Sequence, residues 1–243
     1  GGRPAMGSIL AKLRGSSTDP APSFVDLMQG RPLVRDSARP GFLGPSYQPF
    51  RPDISQMFSR PLEAGMVKEL AARGDEHRTS LTLINALTAD RLYDRTRLLA
   101  GLDRIKREVD STGTMDAMDQ FTKQALGILT SGRFADALDL SKENPRVVER
   151  YTLVHNKDAF RFATGEDESS TKKLLLARRL VEAGVRCVSV SFSDFDTHSD
   201  NFPRMRQLLP LIDHSLHSLV TDLDERGMLD DVSIVVWGEF GRT

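Results

Sequence analysis

Four groups able to bind a cation or move a proton, Asp194, Asp196, His198 and Asp200, fall within seven positions of the stretch SFSDFDTHSDNF. An imidazole beside carboxylates suits zinc, manganese or iron(II), while carboxylates with water suit magnesium or calcium. An Asp-x-His pair on a turn can put an oxygen and a nitrogen on one ion, and Asp194 offers a second register, Asp-x3-His. Further along, GEFGR at 238–242 sets Glu239 between two glycines that permit tight turns and close approach of backbone to a ligand. Arg242 adds a permanent cation whose planar fork suits a tetrahedral oxyanion such as phosphate or sulfate. The competing reading is a solvated turn ahead of a helix, where Asp, Asn, Ser and Thr satisfy free N–H groups. Asp200 and Asn201 fit that capping role better than a ligand role.

The segments that carry these turns read as α/β. TKKLLLARRLVEAG predicts an amphipathic helix stopped at Gly184, with its basic residues in mid-element. VRCVSVSF is a β-branched run suited to a buried strand. A long helix follows over roughly 203–226, with Leu208, Ile212, Leu216, Leu219 and Leu223 on one face, a kink at Pro210 and a stop at Gly227. VSIVVW at 232–237 predicts a second buried strand. Strand, crossover helix and strand close right-handed and parallel. Residues 171–243 are therefore expected to form an α-β-α-β core, with a mainly parallel sheet flanked by helices. Such sheets bind ligands beyond the carboxyl ends of their strands, so both acidic turns belong on one edge. Neighbouring strands lie ~4.8 Å apart, and ~10 Å with one strand between them, a spacing that lets Asp196, His198 and Glu239 converge on one cation.

The remaining chain is less regular. Residues 1–62 are dense in Pro and Gly, as in RPGFLGPSYQPFRPD, and predict irregular structure with one short helix over 6–13. Residues 63–151 predict a helical region, with stripes such as Leu92, Leu98, Leu99, Leu102 and Ile105, and a short helix in NPRVVERY capped by Asn144. The polar stretch 155–170 predicts an exposed excursion. His77 and His155 lie in polar surroundings, and His214 and His217 fall off the apolar stripe of their helix, so all four read as solvated. Cys187, within a strand, reads as a small buried hydrophobe.

The formal net charge of -1 comes from 33 basic and 34 acidic residues with no basic block, which argues against a nucleic-acid partner. The apolar runs are far shorter than the ~20 residues that cross a bilayer, so no membrane span is expected. With one cysteine the chain forms no internal disulfide and no thiolate metal site. The glycines of GEFG do not make a GxGxxG fingerprint, so a dinucleotide is not expected. The sequence reads as a piece of a longer protein.

GGRPAMGSIL, RPGFLG with PFRPD, TMDAMDQFTKQAL, ADALDLSKENPRVVERY, LLLARRLVEAGVRCVSV, FDTHSDNF and GMLDDVSIVVWGEFGRT closely resemble, in that order, the bacterial proteins of the Domain of Unknown Function 1501 family. That family is similar to the alkaline phosphatase and sulfatase superfamily, which implies an alkaline phosphatase-like fold, metal-dependent hydrolysis and a periplasmic or extracellular location. Carried over by residue, Asp196 and His198 match one ligand-bearing turn and Glu239 the acidic ligand of the other. The superfamily's second turn reads Asp-His-Gly, whereas here it reads Glu239, Phe240, Gly241, so one histidine ligand is replaced. Its nucleophile follows the first strand, a segment that would precede Gly1. The resemblance thus implies a hydrolase of phosphate or sulfate esters using zinc, manganese, calcium or magnesium, acting on a small anionic ester or on a sulfated or phosphorylated polymer. The alternative is a non-catalytic carbohydrate- or polymer-binding protein on a degenerate hydrolase fold.

Overall fold

A computed structural model describes residues 2–16, 19–27, 39–52, 54, 132–153, 166 and 168–238. Five α-helices are formed among them: α1 (Met6–Arg14), α2 (Arg133–Leu138), α3 (Pro145–Arg150), α4 (Lys172–Glu182) and α5 (Asn201–Glu225). Two strands, β1 (Phe24–Leu27) and β2 (Cys187–Val190), pair in parallel with Phe24 opposite Cys187 and Leu27 opposite Val190. On the far side of β1, Phe50 adds a single parallel bridge to Val25, with its amide donating to the Phe24 carbonyl and its carbonyl accepting from the Asp26 amide. The result is a small parallel sheet flanked by helices.

Alternation along the strands divides the sheet into two faces. Val25, Leu27, Val188 and Val190 face α2 and α4, packing with Phe134, Ala137, Leu176, Ala177 and Leu180 in one apolar core. Phe24, Asp26, Cys187 and Ser189 share the opposite face, against which α1 lies. Gly7 allows that approach, since a Cβ there would stand 2.4 Å from the Phe24 ring. Helices lie against both faces, yet all four residues of β2 stay half-buried, short of the buried strand its β-branched run suggests.

A second apolar cluster joins Tyr151, Leu174, Leu175, Leu219 and Leu223, and seats α5 beside α4. Contacts between the two helices advance together, from Arg178 with Asp222 to Glu182 with Arg226, so they lie side by side in the same direction. Pro210 lies inside α5, where its missing N–H leaves the Arg206 carbonyl without a helical donor. The helix is followed by Gly227 at φ 66, and α4 by Gly184 at φ 106, both values that an L side chain resists.

Several expectations are met. The helix over 6–13, the Asn144 cap, whose Oδ1 accepts from the Arg146 amide at 3.0 Å, the strand over 187–190 and the long helix are all present. Others need correction. The span 1–62, expected to be irregular, carries β1, which is buried throughout. The second core strand expected over 232–237 is not formed. Val232 packs at the margin of the Tyr151–Leu223 cluster, but Ile234, Val235, Val236 and Trp237 are exposed and join no ladder among the described residues. A β-branched run meets only the side-chain half of a strand's requirement, and among the described residues no segment lies alongside to complete the backbone half. The helices expected between 63 and 131 lie outside the described residues, as do His77 and His155. No described helix is long and apolar enough to cross a membrane.

Candidate functional site

The chain leaves β2 at Val190 and enters α5 at Asn201, so residues 191–200 occupy the carboxyl end of a parallel strand. Both ends of this turn are fastened. At its start, Ser193 donates to Glu166 Oε1 from its amide at 2.7 Å and from its hydroxyl at 3.0 Å. Lys173, reaching up from α4, donates to the Ser191 carbonyl at 2.9 Å and to Glu166 Oε2 at 2.7 Å. At its end, the Thr197 hydroxyl meets Asn201 Oδ1 at 2.8 Å, with Thr197 itself buried.

Between these anchors the candidate ligands face outward. His198 Nε2 stands 3.6 Å from Asp196 Oδ2, with the two side chains 89% and 65% exposed. Ligand bonds of about 2.0–2.2 Å in a tetrahedral shell place neighbouring donors about 3.4 Å apart. The observed separation is close to that edge, so this nitrogen and oxygen fit two positions around one cation. Asp194 adopts φ 68, a left-handed conformation that Asp tolerates better than most residues, and its Oδ2 lies 3.5 Å from the Ser193 hydroxyl. Asp200 also has a positive φ, of 52. It stands at the N-cap of α5 as expected, yet its side chain makes no capping hydrogen bond.

The structure therefore brings Asp196 and His198 together, with Asp194 beside them in sequence at the anchored end of the turn. Glu239 and Arg242, expected on the second turn, lie outside the described residues. Among the described residues no group of three or more His, Cys, Asp or Glu side chains is assembled for a metal. His217 is exposed as expected, but His214 is half-buried, with its Nε2 enclosed and lacking a hydrogen-bond partner. Cys187 is half-buried, and burial together with the nearby Asp26 carboxylate pushes its thiol above the ordinary range. This fits a packing role rather than a reactive one.

Two polar groups went unrecognised in the sequence. Glu166, within a stretch expected to be an exposed excursion, is buried. Burial raises its carboxyl, but the Lys173 charge and the hydrogen bonds it accepts outweigh that and leave it below the usual carboxylate range. Asp26, in mid-strand, accepts from the Ser189 hydroxyl at 2.6 Å and from Arg51 Nε at 2.8 Å. The advance signal for Asp26 is a charge between Val25 and Leu27, which does not reveal its partner, and Glu166, between Gly165 and Asp167, carries none.

Over residues 1–243 the chain matches the family model described as "Protein of unknown function (DUF1501)". No curated protein and no solved structure matches it.

Proposed function

The chain belongs to the DUF1501 family, and on that premise we propose that it carries part of the active site of a metal-dependent hydrolase of phosphate or sulfate esters, on an alkaline phosphatase-like fold. The observation that carries this reading is the 3.6 Å approach of His198 Nε2 to Asp196 Oδ2 on a turn beyond the carboxyl end of a parallel strand. In this reading Asp196 and His198 hold one divalent ion, zinc, manganese, calcium or magnesium by the chemistry of its donors, and Glu239 completes the set from the second turn. Asp194 is the alternative carboxylate. Arg242 steadies the anionic group of a small ester or of a sulfated or phosphorylated polymer. A bound ion at such a site polarises the ester oxygen or lowers the pKa of an attacking group. The chain's own part is to fix two donors on an anchored turn, so that little ordering remains when the ion arrives.

A second reading, binding of a carbohydrate or polymer without turnover, draws on the openness of the turn. Hydrolytic sites gain electrostatic strength by excluding water, and His198 is almost wholly exposed. Elemental analysis of the intact protein, followed by a screen of aryl phosphates and sulfates, separates the two. The hydrolase reading expects a bound divalent ion and a loss of hydrolysis in Asp196→Ala and His198→Ala. A metal-free protein whose hydrolysis is untouched by Asp196→Ala rules it out, and a metal-loaded protein that releases neither phosphate nor sulfate favours binding.

A further inference from the structure

Glu166 and Lys173 form an ion pair whose side chains are 1% and 0% exposed. Withdrawing two charges from water costs several kcal/mol per ion in real proteins, and their mutual attraction often does no more than cancel that cost. A pair of apolar side chains would fill the same space at least as well. What the charged pair adds is direction. The Lys173 ammonium holds the Ser191 carbonyl and lies 5.0 Å from the centre of the Phe192 ring, while Glu166 holds the Ser193 amide and hydroxyl. One buried pair thus grips three successive residues just after β2, and the next residue is Asp194 in its left-handed conformation. With Thr197 fastened to Asn201, the exposed Asp196 and His198 hang between two fixed points.

We propose that Glu166 and Lys173 are positioning residues, which hold the 191–193 segment so that the Asp194–His198 turn stands in a cation-binding geometry at the sheet edge. This rests on the reading of that turn as a metal site. Neither residue touches the ion, and both act through the backbone that carries its ligands. Supporting groups of this kind typically change metal affinity about 10- to 100-fold when removed.

The test is calorimetric titration of the intact protein with zinc and with manganese, alongside thermal melting of each variant. Glu166→Gln/Lys173→Met removes both charges together, so neither is left buried alone. It is expected to bind either ion about 10- to 100-fold more weakly. Leu180→Ala, a core truncation remote from the turn, lowers the melting temperature with no such loss of affinity and so controls for instability alone. A folded double variant that binds both metals like the native protein overturns the proposal. If the double variant does not fold, Ser193→Ala decides. It removes one bond to Glu166 and a 3.5 Å contact with Asp194 and leaves the pair intact, so severalfold weaker binding that persists in an Asp194→Ala background supports the proposal, and unchanged binding, or a loss that vanishes in that background, overturns it. His198→Ala is measured in parallel, and if it too binds like the native protein, the metal reading itself falls.

Discussion

Arg178 Nε lies 2.8 Å from Asp222 Oδ2 across the junction of α4 and α5, with both side chains almost fully withdrawn from water. The same carboxylate accepts from the Tyr151 hydroxyl at 3.1 Å and from Arg226 Nε at 2.8 Å. Arg178 also reaches Glu143 and Glu182. The guanidinium fork fixes how α5 is turned about its axis relative to α4 in a way that the apolar Leu219 and Leu223 alone would not.

Removing Arg178 leaves Asp222 with Arg226 and Tyr151 alone and Glu143 with Arg179, so the buried carboxylates are under-compensated rather than orphaned. Arg178→Met is expected to lower the unfolding free energy by about 1.5–3 kcal/mol, as read from urea denaturation. Arg150→Ala, which breaks an ion pair with Glu225 at the surface, is expected to cost about 0–1 kcal/mol. Equal losses from the two substitutions would show that the buried network does not orient the helices.

Acid should unlock the same region. Burial raises the Glu143 carboxyl, but bonds from the Asn144 amide, Arg178 and Arg179 outweigh it and bring the value down from 4.5 to about 2. A carboxyl depressed in the folded state contributes stability that is complete above its unfolded value and fades as pH falls through the folded one. The contribution is up to roughly 3 kcal/mol, lost between about pH 4.5 and 2. Melting temperature followed across that window should fall less steeply in Glu143→Gln than in the native chain. Parallel slopes would refute the assignment.

Trp237 is the only tryptophan in the sequence and is 68% exposed. Fluorescence of the 243-residue chain should therefore resemble that of indole in water and be quenched by acrylamide almost as readily as the free amino acid. A blue-shifted, protected emission would mean that the 232–237 segment is covered in solution.

Legibility in the sequence followed the range of the forces involved. The α4 helix and the α3 cap rest on neighbours within a few positions, so periodicity and the Asn144–Pro145 pair were enough to place them, whereas β2 was marked by its β-branched run although its ladder partner β1 lies far away in the chain. The β1 strand is only four residues long, sits among prolines and glycines, and carries Asp26. Its charge is tolerable because Arg51 supplies a counter-charge and Ser189, far along the chain, a hydrogen bond. Conversely, VSIVVW has every local mark of a strand and joins no ladder among the described residues, because pairing is a property of two segments. The Asp196 and His198 turn lies at the carboxyl end of β2 because it follows that strand in the chain, but the parallel partner of β2 is β1 and not the expected 232–237 segment. The Glu166 anchor was not legible, since its bonds to Ser193 span 27 positions.

The partners Asp26 and Ser189 are 163 residues apart, and this separation shapes how the molecule is born. At about 5–20 residues per second, a ribosome takes roughly ten to thirty seconds to travel from one to the other. Throughout that interval β1 has been made and its mate has not, leaving a short apolar ribbon without a template. Until β2 emerges, the nascent chain must be kept from adhering to other chains, a task for which a cell employs chaperones.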